Sequence, residues 1–219
     1  MRAGNPILWL KDHVGFNVWS YEKELLLDNA LRLRVIRKSR QIGITTTISL
    51  EALWKAFVTR NRLILIVSPS GRQSNKPMTI IQSIVDGNEE LAGHVVKKNS
   101  SELKLDNGSV ILALPNNPDR LRNYSANDIY LDEAAHFLND EPVLGAIRPM
   151  LAATHGTFTI ISTPFGKRGL FWDQYNVAVG LKGIDEGVKA YEFYPSWISP
   201  LIKKSEIEAQ LKNGELTDA

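Results

Sequence analysis

The sequence contains no cysteine among its 219 residues, which excludes disulfides, thiolate metal sites and cysteine nucleophiles. It also lacks a strong charge bias. Its 26 basic and 24 acidic side chains leave a net charge of +2, so overall charge does not indicate nucleic-acid binding. Hydrophobic residues make up 43% and charged residues 23%, a globular composition that excludes wholesale disorder.

Long apolar runs are absent as well. The longest unbroken aliphatic run is 63–67, far below the ~20 residues that cross a bilayer. Near the N-terminus only the apolar residues 7–10 precede Lys11, too few for the core of a signal peptide. The sequence therefore predicts a soluble, cytoplasmic protein without a membrane partner.

Short apolar segments alternate with amphipathic ones along the chain. We predict strands at 31–37, 63–67, 103–105, 110–114, 129–131, 158–161 and 188–194, and helices at 21–30 and 48–58. Asp106-Asn107-Gly108, between two of these strands, is a strong hairpin signal. Very apolar strands that alternate with helices are typical of an α/β fold, in which helices cover both faces of a mainly parallel central sheet.

Composition divides the chain into three parts. Residues 1–20 are rich in Gly, Pro, Trp and Asn, and we expect an irregular segment there. Residues 21–200 carry the alternating pattern and form the predicted domain. Residues 201–219 are more charged, and we expect a linker-like tail that begins as a polar helix.

The stretch 38–46, Lys-Ser-Arg-Gln-Ile-Gly-Ile-Thr-Thr, follows a predicted strand and opens a predicted helix. This is the context of a phosphate-binding loop, in which a turn at Gly43 directs N–H groups inward and the helix N-terminus attracts an anion. Thr45 stands where such loops place the Mg²⁺-binding hydroxyl. Against the G-x-x-x-x-G-K-[ST] pattern, Lys38 replaces the first glycine and Ile44 the lysine. By itself the stretch is equally typical of an arginine-rich strand that runs into a threonine-capped helix.

Polar residues follow two further predicted strands. The acids Asp132 and Glu133 come after strand 129–131, and the segment Ser162-Thr163-Pro164 comes after strand 158–161. In ATPases the first acid of such a pair holds Mg²⁺ through its water shell, and the second polarises the attacking water. The hydroxyl residues are suited to sensing a γ-phosphate. Singly, these segments also occur as solvated loop caps and ordinary strand exits.

In this order and spacing, the segments resemble the ATPase domain of the large terminase subunit, the DNA-packaging motor of tailed bacteriophages. The resemblance runs from about residue 21 to the end. It rests on Ser39-Arg40-Gln41-Ile42-Gly43 with Thr45-Thr46, on Leu131-Asp132-Glu133-Ala134-Ala135, on Ser162-Thr163-Pro164-Phe165-Gly166 before Phe171-Trp172, and on Arg122. It implies a three-layer P-loop NTPase of the RecA-like (ASCE) class that couples MgATP hydrolysis to translocation of double-stranded DNA into a capsid.

The resemblance also implies roles for matching residues. Thr45 and Asp132 would bind Mg²⁺, and Glu133 would orient the attacking water. Arg122 would be an arginine finger that acts on a neighbouring subunit's ATP, or else forms only a surface salt bridge. The phosphates would be cradled by Ser39, Arg40, Gln41, Ile42, Gly43, Ile44, Thr45 and Thr46. The coupling motif would be Ser162, Thr163 and Pro164.

Two positions depart from the family pattern. Ile44 offers neither a donor nor a charge where most of the family has a phosphate-contacting lysine. Either Lys38, which stands where some terminases carry this lysine, replaces it, or the loop is disabled. Glu22 occupies a helix position where the family often has an adenine-reading glutamine, which leaves the preference for ATP open.

The implied partners are double-stranded DNA, further copies of the chain in a ring, the portal and the small terminase subunit, all in the host cytoplasm. A nuclease domain would follow Ala219, so we expect no nuclease activity from this chain. Candidate DNA-contacting residues are Arg32, Arg34, Arg37, Lys38, Arg40, Lys97, Lys98, Lys104, Lys167 and Arg168. Two rival functions remain: a helicase-type translocase, and a non-hydrolysing assembly module that binds nucleotide and DNA.

Overall fold

The apolar runs predicted as strands all lie in one eight-stranded sheet. The computed structural model describes residues 4–138, 140–193 and 196–213. The strands are β1 (Leu33–Lys38), β2 (Leu63–Ser68), β3 (Val95–Asn99), β4 (Glu102–Leu105), β5 (Val110–Pro115), β6 (Asp128–Asp132), β7 (Thr157–Ser162) and β8 (Val188–Phe193). Their order is β3-β4-β5-β2-β6-β7-β1-β8. Strands from β5 to β8 in this order pair in parallel, and β4 pairs antiparallel with both β3 and β5.

Helices cover both faces of this sheet. They are α1 (Pro6–Trp9), a π-helix (Leu10–Val14), α2 (Ser20–Leu27), α3 (Ile44–Val58), α4 (Gly71–Asp86), α5 (Glu89–Ala92), α6 (Pro118–Leu121), α7 (Asp140–Thr154), α8 (Gly169–Gly180) and α9 (Lys204–Lys212). Ile64 and Ile66 face a core shared with α1 to α5. Leu65 and Val67 face a second core shared with α6 to α8. The predicted three-layer α/β fold with a mainly parallel sheet is therefore confirmed.

The N-terminal segment differs from the expectation. Residues 1–20 were expected to be irregular, and this is wrong for α1 and the π-helix. The Asn5 side chain accepts hydrogen bonds from the N–H groups of Ile7 and Leu8, and Pro6 occupies the first turn. Proline suits this position because its fixed φ is already helical and it lacks an N–H that would have no partner. The helix then buries Trp9 in the first core.

The C-terminal part agrees with the sequence where it is described. The predicted polar helix is α9, and the last strand ends at Phe193. Tyr194, which the prediction included in that strand, and residues 214–219 lie outside the described residues. The division into a domain and a tail remains a prediction. No helix in the described part of the chain combines the length and the apolarity that crossing a membrane requires.

A network of buried charges lies at the amino ends of the parallel strands. The Arg34 guanidinium on β1 donates to both carboxylate oxygens of Glu51 on α3, at 2.6 and 2.9 Å. Tyr130 on β6 donates its hydroxyl to Glu51 at 2.7 Å. Lys55 contacts Asp128 at 2.8 Å. Because Arg34 is 1% exposed, its assignment as a candidate DNA contact is wrong.

Removing one carboxylate from this network should destabilise the fold. Burial opposes ionisation of Asp128, but Lys55 and Arg62 hold its pKa down at about 2. We expect Asp128→Asn to lower the free energy of unfolding at neutral pH by about 3–5 kcal/mol, because both cations lose a buried partner. Urea denaturation measures this loss. The half-exposed Asp86, paired with Lys98, provides the control Asp86→Asn, with a change below about 1 kcal/mol.

The same variant tests a pH dependence. A carboxylate whose pKa is lowered by folding stabilises the protein above its unfolded pKa, and this contribution disappears as pH falls toward the folded value. The parent should therefore lose stability between about pH 4 and pH 2 more steeply than Asp128→Asn. Parallel curves for the two proteins would contradict the assignment.

Candidate nucleotide-binding site

The sheet order brings three predicted motifs to one edge. Strand β7 lies between β6 and β1, and all three are parallel. Their last residues are therefore neighbours: Asp132 on β6, Ser162 on β7 and Lys38 on β1. Ligands of parallel α/β sheets bind beyond the carboxyl ends of the strands. This edge is therefore the candidate site.

The loop between β1 and α3 has the backbone of a tight anion-binding turn. Gln41 and Gly43 both have positive φ, 62° and 84°. Glycine suits position 43 for two reasons. The backbone there is left-handed, and a Cβ added to Gly43 would lie only 3.3 Å from the Glu22 carboxylate. Helix α3 begins at Ile44, directly after this turn. The unpaired N–H groups of its first turn lie next to the loop, as an anion site requires.

Helix α2 holds the loop from behind. The Tyr21 hydroxyl donates to the Ile42 carbonyl at 2.7 Å. The buried Glu22 carboxylate accepts from the Thr47 hydroxyl at 2.8 Å and from the Trp19 N–H at 2.9 Å. Burial raises the pKa of Glu22. At the position where the family often reads adenine, this carboxylate instead supports the loop, a role that the sequence pattern did not indicate.

Lys38 and Glu133 form the central contact of the site. The Lys38 ammonium lies 2.7 Å from the Glu133 carboxylate, and Lys38 is 5% exposed. Glu133 itself has φ 55° and ψ 43°, uncommon for a residue with a side chain. Its carboxylate also accepts from the Thr163 N–H at 3.2 Å and hydroxyl at 3.0 Å. Burial would raise the pKa of Glu133, but the charge of Lys38 lowers it overall, so the group is ionised at neutral pH.

Asp132 and Thr45 form the adjacent polar pair. The Thr45 hydroxyl lies 3.4 Å from the Asp132 carboxylate. Burial and the charge of Glu133 raise the pKa of Asp132 to about 6. A hydroxyl and a carboxylate are hard oxygen donors of the kind Mg²⁺ takes, with further ligands from water and phosphate. The described residues hold no cluster of three or more His, Asp or Glu side chains suited to a metal.

The site opens into a cavity of about 840 Å³. This volume lies within the range of small-molecule sites, ≈ 300–1,000 Å³. Its predicted lining residues are Lys38, Arg40, Gln41, Ile42, Gly43, Ile44, Thr45, Thr46, Asp132, Glu133 and Thr163. Pro69, Gln73, Lys76 and His136 also line it, and the sequence motifs did not indicate them.

Several predicted residues stand apart from the cavity. Among the described residues, Ser39, Ser162, Pro164 and Arg122 do not line it. Ser162 still supports the site, since its hydroxyl accepts from the Ala135 N–H at 3.1 Å. The Arg122 side chain is 60% exposed and lies 3.4 Å from Asp119 on α6. Arg122 therefore lies outside the cavity of its own chain.

Ile44 borders the cavity but its side chain is 1% exposed and packs in the first core. This burial accounts for an apolar residue at that position. Lys38, by contrast, places its ammonium at the site.

The sequence profile described as terminase large subunit, T4likevirus-type, N-terminal, matches residues 35–215. The chain belongs to this family. The match covers most of the sequence and includes the loop, the acidic pair and the segment after β7. It confirms the resemblance and supports a role in DNA packaging.

Solved structures show the same fold. The ATPase domain of the large terminase of Thermus phage P74-26 is 20% identical, with TM-score 0.78 over 94% of this chain and 93% of that chain. The large terminase of bacteriophage HK97 is 17% identical, with TM-score 0.81 over 98% of this chain and 52% of that chain. A large terminase from a thermophilic bacteriophage, in complex with ADP, is 13% identical, with TM-score 0.64 over 88% and 47%. The chain thus spans about half the length of the latter two.

Introducing the family lysine at position 44 should destabilise the fold of this terminase domain. We expect Ile44→Lys to lower the free energy of unfolding by roughly 2 kcal/mol or more, because the new charge would enter the core without a partner. The control Ile44→Leu keeps the volume and should cost less than about 1.5 kcal/mol. Urea denaturation compares the two. An Ile44→Lys variant as stable as the parent would mean that this side chain can turn into the cavity.

Proposed function

We propose that this domain hydrolyses MgATP and uses the reaction to move double-stranded DNA into a viral capsid. The observation that carries the proposal is the position of Glu133. Its carboxylate contacts Lys38 of the loop and Thr163 of the segment after β7 at the same time. A change at the phosphates would therefore reach the segment after β7 through direct contacts.

Each part of the site has a role in phosphoryl transfer. The backbone N–H groups of 40–46 bind the phosphates, with Lys38 as the cation that replaces the missing loop lysine. Thr45 and Asp132 would hold Mg²⁺, which would supply positive charge beside the phosphate oxygens. The ionised Glu133 orients the attacking water. Lys38 restrains Glu133 and lowers its pKa, so the carboxylate is available as a hydrogen-bond acceptor.

Coupling would run through the residues that hold Glu133. Thr163 donates both its N–H and its hydroxyl to this carboxylate. The next residues, 164–168, carry the exposed ring of Phe165, which lies against His136 at 4.7 Å between ring centres. His136 also lines the cavity. Loss of the γ-phosphate would thus alter the packing of an exposed loop, which we propose as the moving part.

Removing either side of the central contact should stop turnover. Glu133→Gln should reduce Mg²⁺-dependent phosphate release about 10²–10⁴-fold, the range for loss of an acid–base group. Lys38→Ala should abolish measurable release. Glu102→Gln, on β4 and away from the cavity, is the control and should retain parental rates. Parental turnover in Glu133→Gln or Lys38→Ala would contradict the assigned roles. Nucleotide binding by the parent without any turnover would instead support the non-hydrolysing module.

Arg122 is proposed to act on the ATP of a neighbouring copy in a ring, because its own cavity does not include it. Arg122→Ala and Glu133→Gln should each be inactive alone. When they are mixed with DNA present, an intact Glu133 can meet an intact Arg122 from its neighbour, and phosphate release should recover. The neighbouring Arg120→Ala serves as the control. If the mixture releases phosphate no faster than the two variants do separately, Arg122 does not act as an arginine finger.

DNA, the portal and the small terminase subunit are the proposed partners. Four of the candidate DNA-contacting residues already have partners within the chain. Lys97 and Lys98 are paired with Glu102 and Asp86, while Lys167 and Arg168 lie over aromatic rings. Membership in the terminase family favours packaging over duplex unwinding. A strand-displacement assay distinguishes the two, since a packaging motor moves DNA without separating its strands.

A further inference from the structure

One wall of the cavity carries a lysine that no motif includes. Pro69, Gln73 and Lys76 line this wall, from the end of β2 into α4. Gln73 and Lys76 are three residues apart and therefore lie on one face of the helix. Met78 and Ile81 are buried in the first core on its other face. Packing of that apolar face thus fixes the polar face of α4 toward the cavity.

Lys76 lines the same cavity as Asp132 and Glu133. Asp132 in turn lies 3.4 Å from the Thr45 hydroxyl. In P-loop enzymes the γ-phosphate lies beside the residues that would hold Mg²⁺ and orient the attacking water. The γ-phosphate would therefore lie in the cavity that Lys76 lines.

The positively charged side chains of the loop leave the triphosphate able to take a further cationic contact. Lys38 is bonded to Glu133 at 2.7 Å, and Ile44 is buried and uncharged. Arg40 is exposed at the rim of the cavity. A triphosphate carries several negative charges, and its terminal phosphate gains from charge-assisted hydrogen bonds. The exposed Lys76 on the wall formed by α4 can supply one.

We propose that Lys76 contacts the γ-phosphate of the bound nucleoside triphosphate and so distinguishes ATP from ADP. The inference rests on the proposed function, because it requires the nucleotide to occupy this cavity. Helix α4 then contributes a contact to the bound nucleotide, and release of phosphate removes this contact. Lys76 is thus a specificity-determining residue that compensates in part for the uncharged Ile44.

The test is equilibrium binding of ATP-γ-S and of ADP, each with Mg²⁺, by calorimetry. Lys76→Gln should weaken ATP-γ-S binding about tenfold, the loss expected for one charged hydrogen bond, and ADP binding less than about twofold. Lys76→Arg keeps the charge and should retain most of the affinity for ATP-γ-S. Lys11→Gln, at an exposed lysine of the π-helix outside the cavity, is the matched control and should bind both nucleotides as the parent does.

The outcomes separate this inference from the proposed function. A parent that binds neither nucleotide would overturn both. If Lys76→Gln binds ATP-γ-S as tightly as the parent does, the role of Lys76 alone is overturned. An equal loss of affinity for ATP-γ-S and for ADP would overturn it as well. Unchanged nucleotide binding with weakened binding to a double-stranded DNA fragment would show that Lys76 contacts DNA instead. Thermal unfolding of each variant confirms that the fold is intact.

Discussion

The geometry of the site depends on one ion pair across the end of the sheet. Lys38 ends β1 and Glu133 follows β6, and β7 lies between these strands. Any contact between the two side chains must cross the carboxyl end of β7. Thr163 sits at that crossing and donates to the same carboxylate. The loop, the acidic residue and the segment after β7 are therefore one connected unit rather than three neighbouring motifs.

The opposite end of the sheet is held by different means. Arg34, Glu51, Lys55 and Asp128 are all buried and pair with one another. Such a network is strongly destabilising when one member is removed, because the remaining charge is left in a low-dielectric interior. It joins the amino ends of β1 and β6 to the second half of α3. The same strands and helix that carry the nucleotide site are thus tied together at both ends.

Helix α2 shows how a family position can change its use. Glu22 stands where an adenine-reading residue is expected, yet its carboxylate is occupied by Thr47 and Trp19 and lies against Gly43. Together with the Tyr21 hydroxyl on the Ile42 carbonyl, it fixes the shape of the loop. The loop of this terminase domain is therefore shaped by side chains from a helix that precedes it in sequence.

Much of the fold was predictable because its causes are local. Apolar runs with strand periodicity predicted β1, β2, β4, β5, β6, β7 and β8, and the Asp-Asn-Gly turn predicted the β4–β5 hairpin. The short helix α1 was missed, since its cap at Asn5 and the burial of Trp9 are visible only after folding. The polar first turns of α4 carried no periodic signal for a helix.

The sequence by itself determined the order of the motifs and the residues in them, because loop chemistry and strand ends depend on near neighbours in the chain. Only the tertiary structure decided what those residues face. Packing turned Ile44 into the core and brought Lys38 to Glu133, 95 positions away in sequence. It also placed Lys76 at the cavity and Arg122 outside it. Side-chain direction follows from which face of an element is buried, and that is settled by contacts between distant segments.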